Sequence, residues 1–240
     1  MARAKVTAEQ LLRITDPREM PAYGTREAAH YLQLPHATLK SWVFGRPYPT
    51  QAGVKFFEPA ITRPEEKLPL LSFYNLAEAH VLSAFRREHR IELRHIRSAL
   101  DFVSQQFEWK HPLIEQRFET DGVKLFVEKL GVIYDASAQG QIVMDSIRAH
   151  FKRLDWADNA VVRLWPFTRS SIADSPKSVF IDPRISFGRP SLARCNIPTA
   201  VIAERYKAGE VIDSLADDYG CSRLDIEEGL RCELDLKVAA

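Results

Sequence analysis

The chain has 240 residues, 45% hydrophobic and 27% charged, which lies in the globular range and is long enough for one large domain or two to three small ones. No apolar run is long enough to span a bilayer and the start Met1-Ala-Arg-Ala-Lys5 lacks the apolar core of a secretory leader, so a cytoplasmic protein is expected. The formal charge of +1 hides an asymmetry: residues 1–100 hold 15 Lys and Arg against 10 Asp and Glu, and the remainder 18 against 22. A polyanion would prefer the N-terminal end, where five of the seven histidines also lie.

In chain order, residues 1–20 carry Leu11, Leu12 and Ile14 between charged groups, a weakly specified short helix or arm. Residues Thr25 to Val43 then read as two short helices joined by a tight corner. Thr25 is expected to cap the first helix, with Glu27 in its first turn, where a carboxylate favours the dipole. Ala28 and Leu32 share one face, Leu34 lies in the corner, and Leu39, Trp42 and Val43 form the stripe of the second helix. Opposite that stripe stand Ala37, Lys40 and Ser41, with His36 and Thr38 at the N-terminal flank, a small and mildly basic set suited to a major groove. A helical hairpin of any globular protein would share this pattern, and the sequence that follows favours the DNA-reading interpretation.

Phe44 to Phe57 alternates aromatic and β-branched residues broken by Gly45 and Gly53, which suits a small hairpin. As the wing of a winged helix it would bring Arg46 and Lys55 to phosphates, contacts that position a protein without choosing its sequence. A Pro-rich connector, Pro59 to Pro69, leads to a short strand, Leu70–Phe73, and a helix expected to be capped by Asn75 and to run to about Glu88. Leu76, Ala79, Leu82 and Phe85 supply its apolar side; Leu93, Ile96, Leu100, Val103 and Phe107 give the next helix its stripe, with Arg94, His95 and Arg97 on the polar face. Such a helix serves as a dimer contact or packs on the helices behind it.

The segments Thr25-Arg-Glu-Ala-Ala29, Leu34-Pro-His-Ala-Thr-Leu-Lys-Ser-Trp42 and Leu71-Ser-Phe-Tyr-Asn-Leu-Ala-Glu-Ala-His80 resemble the DNA-binding domain of the MerR family, from which the chain departs in a longer, Pro-rich wing and connector. The resemblance implies DNA contact through Thr25, Arg26, His36, Thr38, Lys40 and Ser41, with Arg46, Lys55, Arg94 and Arg97 on the backbone.

From Pro112 the period changes. Gln116 to Val127 alternates around Asp121-Gly122, the turn pair of a two-residue hairpin, and Gly131–Tyr134 can add a strand. Val143, Ile147, Phe151 and Leu154 recur at helical spacing, and Val161–Trp165 returns to strand, giving a small α+β module. No nucleophile, base and orienter set, Gly-rich phosphate loop or paired carboxylates occur there, so neither an enzyme nor a cofactor site is expected. The module is read as an interaction or spacer unit. Cys195, Cys221 and Cys232 lack metal-ligand spacing and are expected to be reduced and structural, with no metal.

Val179 to Pro190, Asn196-Ile-Pro-Thr199 and Ala208-Gly-Glu210 resemble the C-terminal module called domain-of-unknown-function family 433, over Val179 to about Asp235. Pro198 fits the first turn of a helix through Lys207, Gly209 stops it, Val211–Tyr219 forms a second helix, Gly220 is the turn and Ser222 caps a third, a homeodomain-like trio. Residues 210–235 carry nine acidic groups against Arg223 and Arg231, a face that DNA would repel. It is therefore read as a protein surface using Asp217, Asp218, Asp225, Glu227 and Glu228, with DNA contact confined to Arg189, Arg194 or Arg223.

The expected fold class is α+β, mainly helical, divided as residues 1–108 (winged helix-turn-helix), 109–177 (middle α+β module) and 178–240 (C-terminal helical module). Together the resemblances are similar to VapB-class type II antitoxins. They imply a homodimer that binds operator DNA and covers the basic groove of a PIN-like ribonuclease toxin with its acidic face. The alternative is a free-standing MerR-like transcription regulator whose middle module senses a small ligand.

Overall fold

The computed structural model describes residues 16–50, 53–89, 93–115, 139–169 and 174–234, with the side chains of residues 50, 85–94 and 139–144 left undescribed. A two-residue strand, β1 (Tyr23–Gly24), pairs antiparallel with β4 (Leu70–Leu71) and so brings the connector back to the start of the helical hairpin. Helices α1 (Thr25–Tyr31) and α2 (His36–Phe44) follow β1, joined by a corner in which Gln33 takes a left-handed φ of 51°. The predicted stripe packs as expected, with Ala28, Leu32, Leu39, Trp42 and Val43 all buried.

The cap of α1 differs from the sequence reading. Gly24 is the N-cap and Thr25 the first helical residue; the Glu27 carboxylate accepts the Gly24 N–H at 3.3 Å. The Thr25 hydroxyl is thereby released to meet His36 Nε2 at 3.0 Å, tying the two helix starts together. At the other end of α2, the Trp42 carbonyl accepts the N–H groups of Ala60 and Ile61 at 2.8 and 3.1 Å, which anchors the connector.

The wing is an antiparallel hairpin of β2 (Arg46–Thr50) and β3 (Gly53–Phe57). Gly45, at φ +69°, makes the turn from α2 into it, where an added Cβ would run into the Phe57 carbonyl and the Phe56 ring. Helix α3 (Phe73–His89) starts three residues before the position expected from an Asn75 cap. Ser72 is the cap, its hydroxyl accepting the Asn75 N–H and the Asn75 side chain accepting the Ser72 N–H, both at 3.2 Å. Residues 71–84 are buried on every side, including Asn75, Glu78, His80 and Ser83, so α3 is a central helix and not the one-faced helix its periodicity suggests. It is enclosed by α5 (Gln139–Phe151) and by the 3-10 turns Pro17–Glu19 and Pro112–Ile114, the second of which also touches α4 (Leu93–Phe107). Glu78 holds His111 Nδ1 at 3.2 Å.

Helix α5 ends at Phe151, and Leu154, assigned to helical spacing from the sequence, opens strand β5 (Leu154–Ala157) instead. Its partner β6 (Ala160–Leu164) returns through Asp158 and Asn159, both at positive φ (50° and 61°) as a two-residue hairpin requires. Arg153 is buried beside this hairpin and donates to the carbonyls of Trp165, Pro166, Ser175 and Pro176 at 2.8 to 3.0 Å. Burial pushes its pKa down to about 10. The hairpin expected around Asp121-Gly122, the strand at Gly131–Tyr134 and the N-terminal arm through residue 15 lie outside the described residues.

In the C-terminal part β7 (Val179–Phe180) pairs with β8 (Ser191–Leu192), and α6 (Thr199–Lys207), α7 (Ile212–Tyr219) and α8 (Arg223–Glu233) follow within a residue or two of the expected bounds. Gly220 takes the left-handed C-cap of α7, and Ser222 caps α8 in a box with Asp225. Cys195 and Cys221 are thiols with their Sγ atoms 3.0 Å apart, and Cys232 is buried. One contiguous apolar core runs from Tyr23 in β1 to Cys232 in α8, and α8 lies against α1. Among the described residues no helix is long and apolar enough to cross a membrane.

Candidate nucleic-acid interface

The exposed face of α2 is built by exclusion. With Leu39, Trp42 and Val43 committed to the core, Ala37 and Lys40 are left in solvent and His36, Thr38 and Ser41 half-exposed at the flank. Arg26, the second residue of α1, is exposed, whereas Thr25 is half-buried and holds one ring nitrogen of His36. His36 therefore has only its second nitrogen to offer a ligand. The Thr25–His36 hydrogen bond holds the helix starts of α1 and α2 side by side.

The wing begins two residues after α2 ends, which places Arg46 next to the end of α2. Its register puts Arg46 opposite Phe57 and Tyr48 opposite Lys55; residues alternating along a strand share a face, so Arg46 and Lys55 project from the same side of the hairpin. Val54 and Phe56, 76% and 53% exposed, occupy the other side. Between the wing and α4 lies an open groove of about 490 Å³ lined by Tyr48, Phe56, Arg97, Asp101 and Phe102. Arg97 lies 3.7 Å from Asp101 across one helical turn, so part of its charge is already answered. The side chain of Arg94 is outside the described residues.

The acidic C-terminal face is less charged than its sequence suggests, because arginines are threaded through it. Arg205 pairs with Glu210 and, at 2.6 Å, with Asp218; Arg223 pairs with Asp213 at 2.7 Å and Glu227 at 2.9 Å. Asp225 is occupied by the Ser222 cap; burial pushes its carboxyl up, but the hydrogen bonds of Ser222 outweigh this and hold it below the usual carboxylate range. Asp217 is exposed.

Glu228 departs from the expectation altogether. It is 0% exposed, accepting from Arg169 Nε at 2.8 Å and from the Thr168 hydroxyl, with Arg231 at 3.5 Å. A carboxylate enclosed by two arginines and a hydroxyl is a structural tie between the middle segment and α8, and no partner can reach it. The sequence offered no sign of this, because Arg169 stands 59 residues away.

The three arginines of this module named from the sequence are likewise engaged within the chain. Arg194 donates to the Gly220 carbonyl at 3.0 Å, Arg223 serves the acidic face, and Arg189 pairs with Glu27 of α1. Beside that pair, the buried Tyr23 hydroxyl donates to the Gly188 carbonyl at 3.0 Å. Burial raises the Tyr23 pKa far above its ordinary value. The C-terminal module is thus fastened to the strand and helix that open the helix-turn-helix, a junction absent from the sequence reading.

Residues 21–100 match the family described as "Putative DNA-binding HTH domain", and residues 179–231 match the family described as "Protein of unknown function (DUF433)". A Mycobacterium tuberculosis protein named "Putative antitoxin VapB45" is 29% identical over 231 residues, covering 88% of this chain and 93% of its own. A second protein of that organism, "Uncharacterized protein Rv2308", is 22% identical over 229 residues, 90% of this chain and 92% of its own. The crystal structure of Rv2018, also from Mycobacterium tuberculosis, superposes with a TM-score of 0.63 at 23% identity, over 88% of this chain and 98% of that one, which shows a shared fold. The chain therefore joins an N-terminal segment that matches a helix-turn-helix family to a C-terminal segment that matches domain-of-unknown-function family 433, in an α+β, mainly helical fold.

Proposed function

We propose that this protein is the antitoxin of a type II toxin-antitoxin pair, a cytoplasmic homodimer that binds its own operator and neutralises a PIN-like ribonuclease by occlusion. The observation that carries the reading is the exposed basic edge formed by Lys40 of α2 and Arg46 and Lys55 of the wing, within a chain similar along nearly its whole length to a protein named as a VapB antitoxin. In this reading α2 enters the major groove and Thr38, Lys40 and Ser41 meet base edges, with His36 contributing its free ring nitrogen. Arg26, Arg46, Lys55 and Arg97 grip phosphates.

The toxin-facing surface is the outer side of α7 and the start of α8, centred on Asp217 and Asp218 with Glu227 and Asp225 at its edge and without Glu228. Residues 1–108, 109–177 and 178–240 then divide the work as reader, spacer and partner surface.

A gel shift with a duplex taken from upstream of the protein's own reading frame tests the DNA half. Lys40→Ala and Arg46→Ala should each weaken binding and lower the dependence of log affinity on log salt by about one phosphate contact. Unchanged affinity in both variants would refute the assignment. Co-purification with the product of the adjacent reading frame tests the other half, and a stable complex formed by Asp217→Lys with Asp218→Lys would move the toxin surface elsewhere.

A further inference from the structure

We infer that the turn Ser186-Phe187-Gly188 of the C-terminal module is a second DNA-contact element, in which Phe187 packs into the duplex alongside the recognition helix. The inference rests on the DNA-binding reading above and adds a contact from a module otherwise read as a protein surface. Phe187 is 95% exposed, more than any other large apolar side chain among the described residues. Exposure of a single apolar residue is common in monomeric proteins and decides nothing by itself.

The backbone is what sets this position apart. Ser186, Phe187 and Gly188 have φ of 49°, 54° and 75°, three consecutive left-handed residues of which only one is glycine. A bulky residue in that region is held at a cost, and such cost persists where the surroundings over-determine it. Here they do: Ile185 and Gly188 donate to the carbonyls of Asp182 and Ile185 at 2.9 Å, and Arg189 to that of Ser186 at 3.0 Å. Asp182, fully buried, holds the Arg184 N–H at 3.0 Å and its guanidinium at 2.9 Å, with Arg163 at 3.5 Å. The turn is rigid, strained and aims an aromatic ring at solvent.

Its position connects this to DNA. Gly188 is fastened to Tyr23 and Arg189 to Glu27, two residues along α1 from Thr25, whose hydroxyl touches His36 at the start of α2. At 1.5 Å rise per residue the Arg189 pair sits about 3 Å along α1 from the point where the two helix starts meet. Phe187 is thus next in the chain to both anchors, which hold its turn at the N-terminal end of α1, the end from which Thr25 reaches His36.

The surroundings favour a polyanion. Arg189 answers Glu27, the carboxylate in the first turn of α1, and Arg184 and Arg163 share the single charge of Asp182, while Arg18 is held by Asp16. Each guanidinium has five N–H donors, so pairing with one carboxylate leaves donors for phosphates. An apolar wedge flanked by arginines is the chemistry with which duplex-binding proteins press a side chain against a base step while gripping the backbone on either side.

The test compares Phe187→Gly, Phe187→Trp and Lys40→Ala in the full chain, measuring melting temperature and affinity for the upstream duplex over a range of salt. Glycine relieves the left-handed strain, so Phe187→Gly should melt at or above the wild-type temperature. It should nevertheless lose affinity by about tenfold, as expected for one aromatic contact to a base. Its salt slope should stay unchanged, because no phosphate contact is removed, whereas Lys40→Ala should lose slope; Phe187→Trp should bind as wild type. A Phe187→Gly affinity within about twofold of wild type, with Lys40→Ala weakened, overturns the inference and leaves the DNA-binding reading standing. Absence of binding by the wild type overturns both. Full DNA affinity combined with lost co-purification of the neighbouring gene product assigns the turn to a protein partner and equally overturns it.

Discussion

Gly188→Ala tests the junction between the C-terminal module and the helix-turn-helix. Gly188 is buried at φ +75°, and an added Cβ would run into the Tyr23 hydroxyl. Two costs follow. Placing alanine in the left-handed region costs about 1 kcal/mol, and displacing the Tyr23 hydroxyl from the Gly188 carbonyl leaves buried polar groups unpaired at about 1 to 3 kcal/mol. A total of about 2 to 4 kcal/mol corresponds to a fall of roughly 5 to 15 °C in melting temperature for a chain of this size. The two costs separate in a double-mutant cycle with Tyr23→Phe, which removes the atom that the new methyl strikes. In that background Gly188→Ala should cost only the backbone share, about 1 kcal/mol, giving a coupling of roughly 1 to 3 kcal/mol. The assay is urea denaturation of the four proteins followed by far-ultraviolet circular dichroism. Additive costs, or a Gly188→Ala protein as stable as wild type, would refute the claim that this glycine is required by the tyrosine above it.

Glu228→Ala should lower the melting temperature by several degrees while Asp217→Ala leaves it within about 1 °C, because only the first removes a buried carboxylate on which Arg169 and the Thr168 hydroxyl converge; equal effects in thermal melts would return Glu228 to the surface. His111 supplies a pH dependence. Burial alone would lower its pKa, and its buried Nε2 lacks a hydrogen-bond partner, but the hydrogen bond and charge of Glu78 outweigh this and raise it. A raised pKa in the folded state gives stability that is complete below about pH 6.5 and is lost as the pH climbs through the folded value. The urea midpoint should fall on going from about pH 6 to about pH 8, and His111→Gln should flatten that fall; an identical pH profile in the variant would refute the assignment.

The helix-turn-helix and the C-terminal trio were legible from the sequence because their signals are local. Stripes such as Leu39-Trp42-Val43, turn glycines such as Gly220 and a cap such as Ser222 act within a few residues of one another, and each appears in the structure at its expected place. What was not legible depends on partners far along the chain. Periodicity treats a helix as having one apolar side, so it missed that α3 is enclosed on all sides, where Asn75, Glu78 and His80 are satisfied by Thr62, His111 and the His150 carbonyl. Leu154 continues the helical spacing of α5, and the Asp158-Asn159 turn that begins four residues later decides against it. Thr25 fits a cap by residue type, yet Gly24 takes that place because the Glu27 side chain supplies the missing acceptor. Glu228 and Phe187 invert the usual rule, the carboxylate inside and the phenyl ring outside, and both inversions are set by residues that the chain brings in from elsewhere.

Glu27 is where these strands of reasoning meet, and it yields a prediction with an unusual sign. Its carboxylate accepts the Gly24 N–H and, at 2.9 Å, the Tyr31 hydroxyl, and it pairs with Arg189. Glu27→Gln keeps one acceptor oxygen for the helix start but removes the charge, so the fold should lose only about 1 kcal/mol, the usual scale of a helix cap. The effect on DNA should run the other way. A negative charge beside the joined starts of α1 and α2 repels phosphate, and while Arg189 is held by it that guanidinium is only partly available. Removing the carboxylate deletes the repulsion and releases the arginine, so affinity for the upstream duplex should rise, and the log–log salt slope should steepen by up to about one phosphate contact. Fluorescence anisotropy from about 50 to 200 mM salt resolves a change of that size. A Glu27→Gln protein that folds normally yet binds more weakly, or with an unchanged slope, would show that this end of α1 faces away from the duplex. The Arg189 turn would then have no place at the DNA surface.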